Sequence, residues 1–70
     1  MTKEQFKGNV GRNIQKERIA RGLSVEELAK LIPCSTALVN AMESGKRIAA
    51  AHIMPRFAVA LDVSLDHLFS

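Results

Sequence analysis

Residues 28–47 read LAKLIPCSTALVNAMESGKR, two short helix-forming runs on either side of Pro33. Proline disfavours helical geometry at Ile32 and offers no amide proton, so it ends the first run. Ser35 is a natural cap for the second, Cys34 and Val39 stand at staple positions, and Gly45 closes it. Counting from Val25, the residues Leu28, Ala29, Ile32, Cys34, Val39 and Met42 fall where side chains must face inward. A small residue is required at Ala29, because two short helices cross closely there and a larger side chain would push them apart.

Working outward, the upstream helix has a clear start. Ser24 is the cap, Glu27 completes a capping box, and Leu23 and Leu28 staple the turn, which predicts a helix from Val25 to about Leu31. Before it, Phe6, Val10 and Ile14 recur at i, i+4, i+8. Thr2 and Gln5 fit a second capping box, predicting a helix from about Lys3 to Arg21 that ends at Gly22. Gly8 reads as a sign of a late start, and Gly11 as a point of close approach by another helix. Downstream, a looser segment from Lys46 to Ala51 leads to a fourth helix from about His52 to Leu61. Its buried stripe is Met54, Phe57, Ala58 and Leu61, and Pro55 requires that it begin late. Ser64 caps a short fifth helix, with Val63 and Leu68 as staple. No segment alternates with period two. The expectation is an all-α fold, a five-helix bundle forming one domain over residues 1–70.

Seventy residues bury about 60% of the surface of the unfolded chain, so the core must be efficient. The apolar share is 47%, with three Phe as the only aromatics, which leaves aliphatic side chains to fill it. The net charge of +3 is uneven. Lys3, Lys7, Arg12, Lys16, Arg18 and Arg21 outnumber Glu4 and Glu17 in the first 21 residues, whereas the remainder is slightly acidic. A basic end suits a polyanion. One cysteine forms no internal disulfide, the N-terminus lacks the apolar core of a signal peptide, and the apolar stretch at 48–51 is too short to span a bilayer. These features predict a cytoplasmic protein with no membrane partner. His52 and His67 have no Cys or carboxylate at a metal-ligand spacing, the glycines form no phosphate cradle, and no Ser–His–acid grouping is legible. The expectation is a protein that is not an enzyme and uses no metal or cofactor.

From about Val10 to Phe69 the chain resembles the phage repressor/Cro-like helix-turn-helix domains of the xenobiotic-response-element type. The residues that carry the resemblance are Ile14, Arg18, GLSVEELA at 22–29, Ser35, Val39, ESGKR at 43–47 and ALDVSLDHL at 60–68. The resemblance implies a lambda-repressor-like domain with the helix-turn-helix in helices 2 and 3. It also implies a sequence-specific regulator of transcription, repressor or Cro-like, that binds double-stranded DNA. A recognition helix at about 35–44 would lie in the major groove. Such proteins meet a palindromic operator as homodimers, with half-sites about 34–36 Å apart. For self-association the sequence offers Leu65, Phe69 and Asp62. Arg18 and Glu43 match positions that form a largely buried ion pair in some members. Two exposed charges are the alternative.

Carried onto this sequence, the base-contact positions are Thr36, Ala37, Asn40 and Ala41. The phosphate-contact positions are Ser24, the Val25 amide, Ser35, Ser44, Lys46 and Arg47. Thr36 can meet a base or a thymine methyl and Asn40 can pair with adenine, whereas Ala37 and Ala41 offer only apolar contact. Val25 stands where members often carry a phosphate-holding Gln. Pro33 stands where a glycine at positive φ is common, which requires the turn to be rebuilt. Each position has a plainer reading: Lys46 and Arg47 as a solvated loop, Asn40 as an exposed helix residue, Cys34 as a small core hydrophobe, Lys3, Lys7 and Arg12 as solubility charges. The rival function is a protein–protein interaction module with weak or no DNA binding, docking through Ala37, Leu38 and Ala41.

Overall fold

The computed structural model describes all 70 residues and contains five helices and no strand. They are α1 (Lys3–Ala20), α2 (Val25–Leu31), α3 (Thr36–Glu43), α4 (Met54–Leu61) and α5 (Leu65–Phe69). Both capping boxes form. The Thr2 hydroxyl accepts from the Gln5 amide and the Ser24 hydroxyl from the Glu27 amide, each returned by the side chain of the third helical residue. Because Thr2 nucleates α1, the helix runs straight through Gly8, so that glycine does not mark a late start. At the other end α4 does start late: the turn before it occupies residues 51–53, and Pro55 sits in the first turn.

One device ends the first four helices. Amides five residues on reach back to the last turn: Leu23 to the Arg18 carbonyl at 3.1 Å, Cys34 to Ala29 at 3.1 Å, Lys46 to Ala41 at 2.9 Å, and Val63 to Ala58 at 3.0 Å. Each closure needs positive φ at the residue before the donor. Gly22 (67°) and Gly45 (79°) meet that need without strain, whereas Asp62 (55°) and Pro33 (26°) do not. The turn at Pro33 is therefore not rebuilt as the sequence led us to expect. It keeps positive φ in a ring that prefers about −65°. Proline also lacks the amide that Gly22, Gly45 and Asp62 each donate to the residue three before, so this closure has one hydrogen bond where the others have two.

The core holds Val10 and Ile14 of α1, Leu28, Ala29 and Ile32 from the α2 region, Val39 and Met42 of α3, and Ala49 from the connecting loop. Met54, Phe57, Ala58, Leu61 and Leu68 complete it. No polar side chain is buried among them. The long helix α1 is the axis, packing on α3, α4 and α5, while α2 packs on α3. Gly11 is the point of closest approach, where an added Cβ would overlap the Met42 carbonyl. At the far end α1 holds α5 by polar contacts. The Asn13 amide donates to the carbonyls of Leu68 (3.0 Å) and Ser70 (2.9 Å), and Glu17 bonds both Arg21 (2.7 Å) and His67 (2.8 Å). No helix is long and apolar enough to cross a membrane.

Candidate nucleic-acid interface

Helix α3 has two unlike faces. Val39 and Met42 are fully buried and fix its inner side, leaving Thr36, Ala37 and Asn40 exposed on the other and Ala41 half-buried at its margin. The Ser35 hydroxyl accepts from the Leu38 amide at 3.1 Å and caps the helix. Leu38 itself is half-buried and packs on the core. The apolar outer surface expected from Ala37, Leu38 and Ala41 is therefore reduced to Ala37 and part of Ala41. That weakens the chief support for the interaction-module reading.

At the C-terminal end of α3, Ser44 is the cap residue and its hydroxyl donates to the Ala41 carbonyl at 3.0 Å. The amides of Lys46 and Arg47 also donate to the Ala41 carbonyl, at 2.9 and 3.3 Å, which folds the loop back on the helix end. Both side chains are exposed and neither has an ion-pair partner. At the other edge of the motif, Ser24 and Val25 are half-buried. Val25 is the first residue of α2, so its amide has no intrahelical acceptor.

Arg18 and Glu43 brace the base of α3. The Arg18 Nε and Nη2 donate to the two Glu43 carboxylate oxygens at 2.7 and 2.9 Å, and Nη1 donates to the Leu23 carbonyl at 2.8 Å. The side chains are 12% and 7% exposed, so this is a largely buried pair and not two solvated charges. The carboxylate beside it raises the Arg18 pKa above its ordinary value. Cys34 is half-buried, and burial raises its thiol pKa, which keeps it protonated and unreactive.

Two further lysines come to this edge of the molecule. The Gly45 backbone lies against Gly8, so close that a Cβ on Gly45 would come within 3.2 Å of the Gly8 Cα. This brings the start of α1 beside the loop after α3, and Lys3 and Lys7 line one open cleft with Phe6 and Ile48. The sequence showed only a basic N-terminal segment, since nothing local marks a meeting of residues 8 and 45. The residues proposed for self-association are not alike. The Phe69 ring lies against Phe6, tilted by 44° with ring centroids 5.6 Å apart, and Leu65 is half-buried against the core. Asp62 is exposed. The large apolar side chains most open to solvent on helices are instead Val59 (81%), Ile19 (60%) and Leu31 (57%).

A helix-turn-helix family model (HTH_3) matches residues 14–68. No functionally curated protein matches the chain. Among solved structures, it is similar to the restriction-modification controller protein C.AhdI from Aeromonas hydrophila. That match has a TM-score of 0.84 at 32% identity and covers 90% of this chain and 96% of that one. It is similar to an HTH_3 family transcriptional regulator from Vibrio cholerae, at a TM-score of 0.87 and 26% identity, over 97% of this chain and 38% of that one. In fold it also matches a hypothetical transcription factor, NHTF, from Neisseria, with a TM-score of 0.88 at 24% identity over 100% of this chain and 80% of that one. The family match takes in the capped α2, the turn at Pro33, the whole of α3 and the loop beyond it, all within five helices that superpose on solved regulators: the chain belongs to the helix-turn-helix family.

Proposed function

We propose that this protein is a sequence-specific DNA-binding regulator of transcription that lays α3 in the major groove, as half of a homodimer on a palindromic site. The observation that carries the reading is the division of α3. Its outer face is free of the rest of the chain at Thr36, Ala37 and Asn40, while two unpaired cations stand just beyond its end. In this reading Asn40 meets adenine and Thr36 a base edge or thymine methyl, with Ala37 and Ala41 in apolar contact. Lys46 and Arg47 hold phosphates, joined by Ser24, the Val25 amide, Ser35 and Ser44. The short side chains on α3 make base reading modest, so sequence-dependent DNA shape contributes to the choice of site. The names of the C.AhdI controller and the Vibrio cholerae regulator support a regulatory role of this kind.

A salt titration of binding to random-sequence duplex tests the phosphate grip. Affinity should fall linearly in a log–log plot, and Lys46→Ala and Arg47→Ala should each reduce the slope by about 1 while weakening binding to all sequences alike. Absence of binding at low salt would overturn the reading in favour of a protein-docking module.

A further inference from the structure

We infer that the cleft between the start of α1 and the loop after α3 is a binding site for a small aromatic carboxylate. The cleft is about 540 Å³, within the usual range for a small-molecule site, and is lined by Met1, Thr2, Lys3, Phe6, Lys7 and Ile48. Phe6 and Ile48, both half-buried and packed against the core, give it an apolar surface, and the exposed Met1 adds to it. Its only charged side chains are Lys3 and Lys7, and neither has an ion-pair partner within the chain. The cleft exists because α1 outruns the core. Lys3, Lys7, Val10 and Ile14 are spaced i, i+4, i+7, i+11 and so share one side of the helix. Val10 and Ile14 are buried on that side, whereas Lys7 is half-buried and Lys3 exposed. The inward stripe turns from aliphatic to cationic where the packing ends. Gly45, pressed against Gly8, holds the loop close enough for Ile48 to border the same space.

The chemistry of the lining selects the occupant. Two ammonium groups on one side of a helix, one turn and about 6 Å apart along its axis, can bracket a single carboxylate. Lysine stems lie along apolar surface while their heads stay in water, so the heads hold the anion at the mouth and the stems border its ring. A phenyl ring and a thioether both favour an aromatic body over an aliphatic chain. No carboxylate lines the cleft, and the unpaired Lys46 and Arg47 immediately precede Ile48, so the local field is positive. A DNA phosphate would satisfy the lysines but leave Phe6 and Ile48 uncovered, because it has no apolar body. Occupancy also has a consequence, and this consequence alone rests on the DNA reading. A bound carboxylate puts negative charge beside the two cations assigned to phosphates, so ligand and DNA each weaken the other's binding by the same factor.

NMR titration of the isotope-labelled full chain, without DNA, tests the site with three probes: naphthoate, neutral naphthylmethanol and acetate. Naphthoate should give saturable shifts confined to amides of residues 2–8 and 45–49. Naphthylmethanol should bind about tenfold more weakly, and acetate, which has the charge but no ring, should give no saturable shift. Lys3→Met and Lys7→Met keep an apolar stem and remove one charge. Each should weaken naphthoate by about fivefold to tenfold and leave naphthylmethanol unchanged, and unshifted amides elsewhere in the spectrum show that the variants are folded. The inference is overturned if naphthoate shifts no amide of the cleft, if its shifts centre elsewhere, such as at Val59, if acetate gives the same shifts, or if both Met variants bind naphthoate as the wild type does. It is also overturned if the Met variants lower the salt slope of DNA binding while naphthoate fails to bind, since the lysines then serve the DNA backbone. The titration needs no DNA, so a failure of the cleft and a failure of the DNA reading are told apart. Where duplex binding is observed, saturating naphthoate should weaken it severalfold in the wild type and not in the double Met variant.

Discussion

Arg18 reaches from the last turn of α1 to both carboxylate oxygens of Glu43 at the end of α3, and its remaining nitrogen holds the carbonyl of Leu23 just before α2. One guanidinium therefore joins the three helices that frame the candidate interface. With both side chains largely buried, removing one partner strands the other charge. Arg18→Met and Glu43→Met should each lower stability by about 3–5 kcal/mol, while the double Met variant should lose well under the sum. Chemical denaturation of the four proteins checks this. Additive losses would mean that the pair does not act as one.

Gly8 and Gly11 lie on the same helix and should respond oppositely to one methyl group. At Gly11 the added Cβ would strike the Met42 carbonyl, whereas at Gly8 it would meet nothing within 4 Å. Gly11→Ala should destabilise the protein by about 1–3 kcal/mol through overpacking. Gly8→Ala should stabilise it by about 1 kcal/mol through helix propensity. Thermal unfolding separates the two, and equal signs would contradict the close crossing of α1 and α3.

Pro33 is the strained member of the four helix closures. Its φ of 26° lies far from the value its ring prefers, and its nitrogen cannot supply the second closing bond. Relief of such strain is worth about 1–3 kcal/mol, less about 0.4–1 kcal/mol for the freedom glycine gains in the unfolded chain. Pro33→Gly should therefore raise the melting temperature by about 4–8 °C, corresponding to about 1 kcal/mol net for a domain of this size. An unchanged or lower melting temperature would show that the turn relaxes to another geometry in solution.

The legible parts of this molecule were those encoded by neighbours in sequence. Ser24 with Glu27, and Thr2 with Gln5, fixed two helix starts because each pair satisfies orphan amides within one turn. The periodicity of Met54, Phe57, Ala58 and Leu61 gave the buried side of α4 for the same reason. Arg18 and Glu43, 25 residues apart, came only through family resemblance. Asn13, Glu17 and His67 carried no sign of their meeting, because polar residues some 50 positions apart leave no local pattern. Leu38 read as an outward apolar residue, yet it packs on the core. Phe69 was offered for self-association, yet its ring lies against Phe6 within the chain. Both contacts depend on which distant element lies alongside, and spacing along one helix does not contain that information.

Glu17 ties α5 to α1 and gives the fold a dependence on acid. Hydrogen bonds from Arg21 first, and His67 second, hold its pKa below the ordinary 4.5. A carboxyl with a depressed folded pKa contributes stability that is present above its unfolded value and is lost as pH falls through the folded one. Glu17→Gln should thus be less stable than wild type at neutral pH, and the difference should shrink as pH falls below 4.5. Paired thermal melts across that range check it. Glu27, lowered likewise by its bonds to Ser24, accounts for acid sensitivity that remains in the variant. A constant difference across the range would contradict the tether.

The reading role of α3 is tested most directly by selecting bound sites from a random duplex library, with the wild type and Asn40→Ala side by side. The wild type should enrich a palindrome whose half-sites lie about 34–36 Å apart. Asn40→Ala should lose preference at one adenine in each half-site, a change of about 1–3 kcal/mol there, and keep it elsewhere. If the wild type enriches nothing, or if Asn40→Ala and Thr36→Ala both select the unaltered consensus, then α3 does not read DNA.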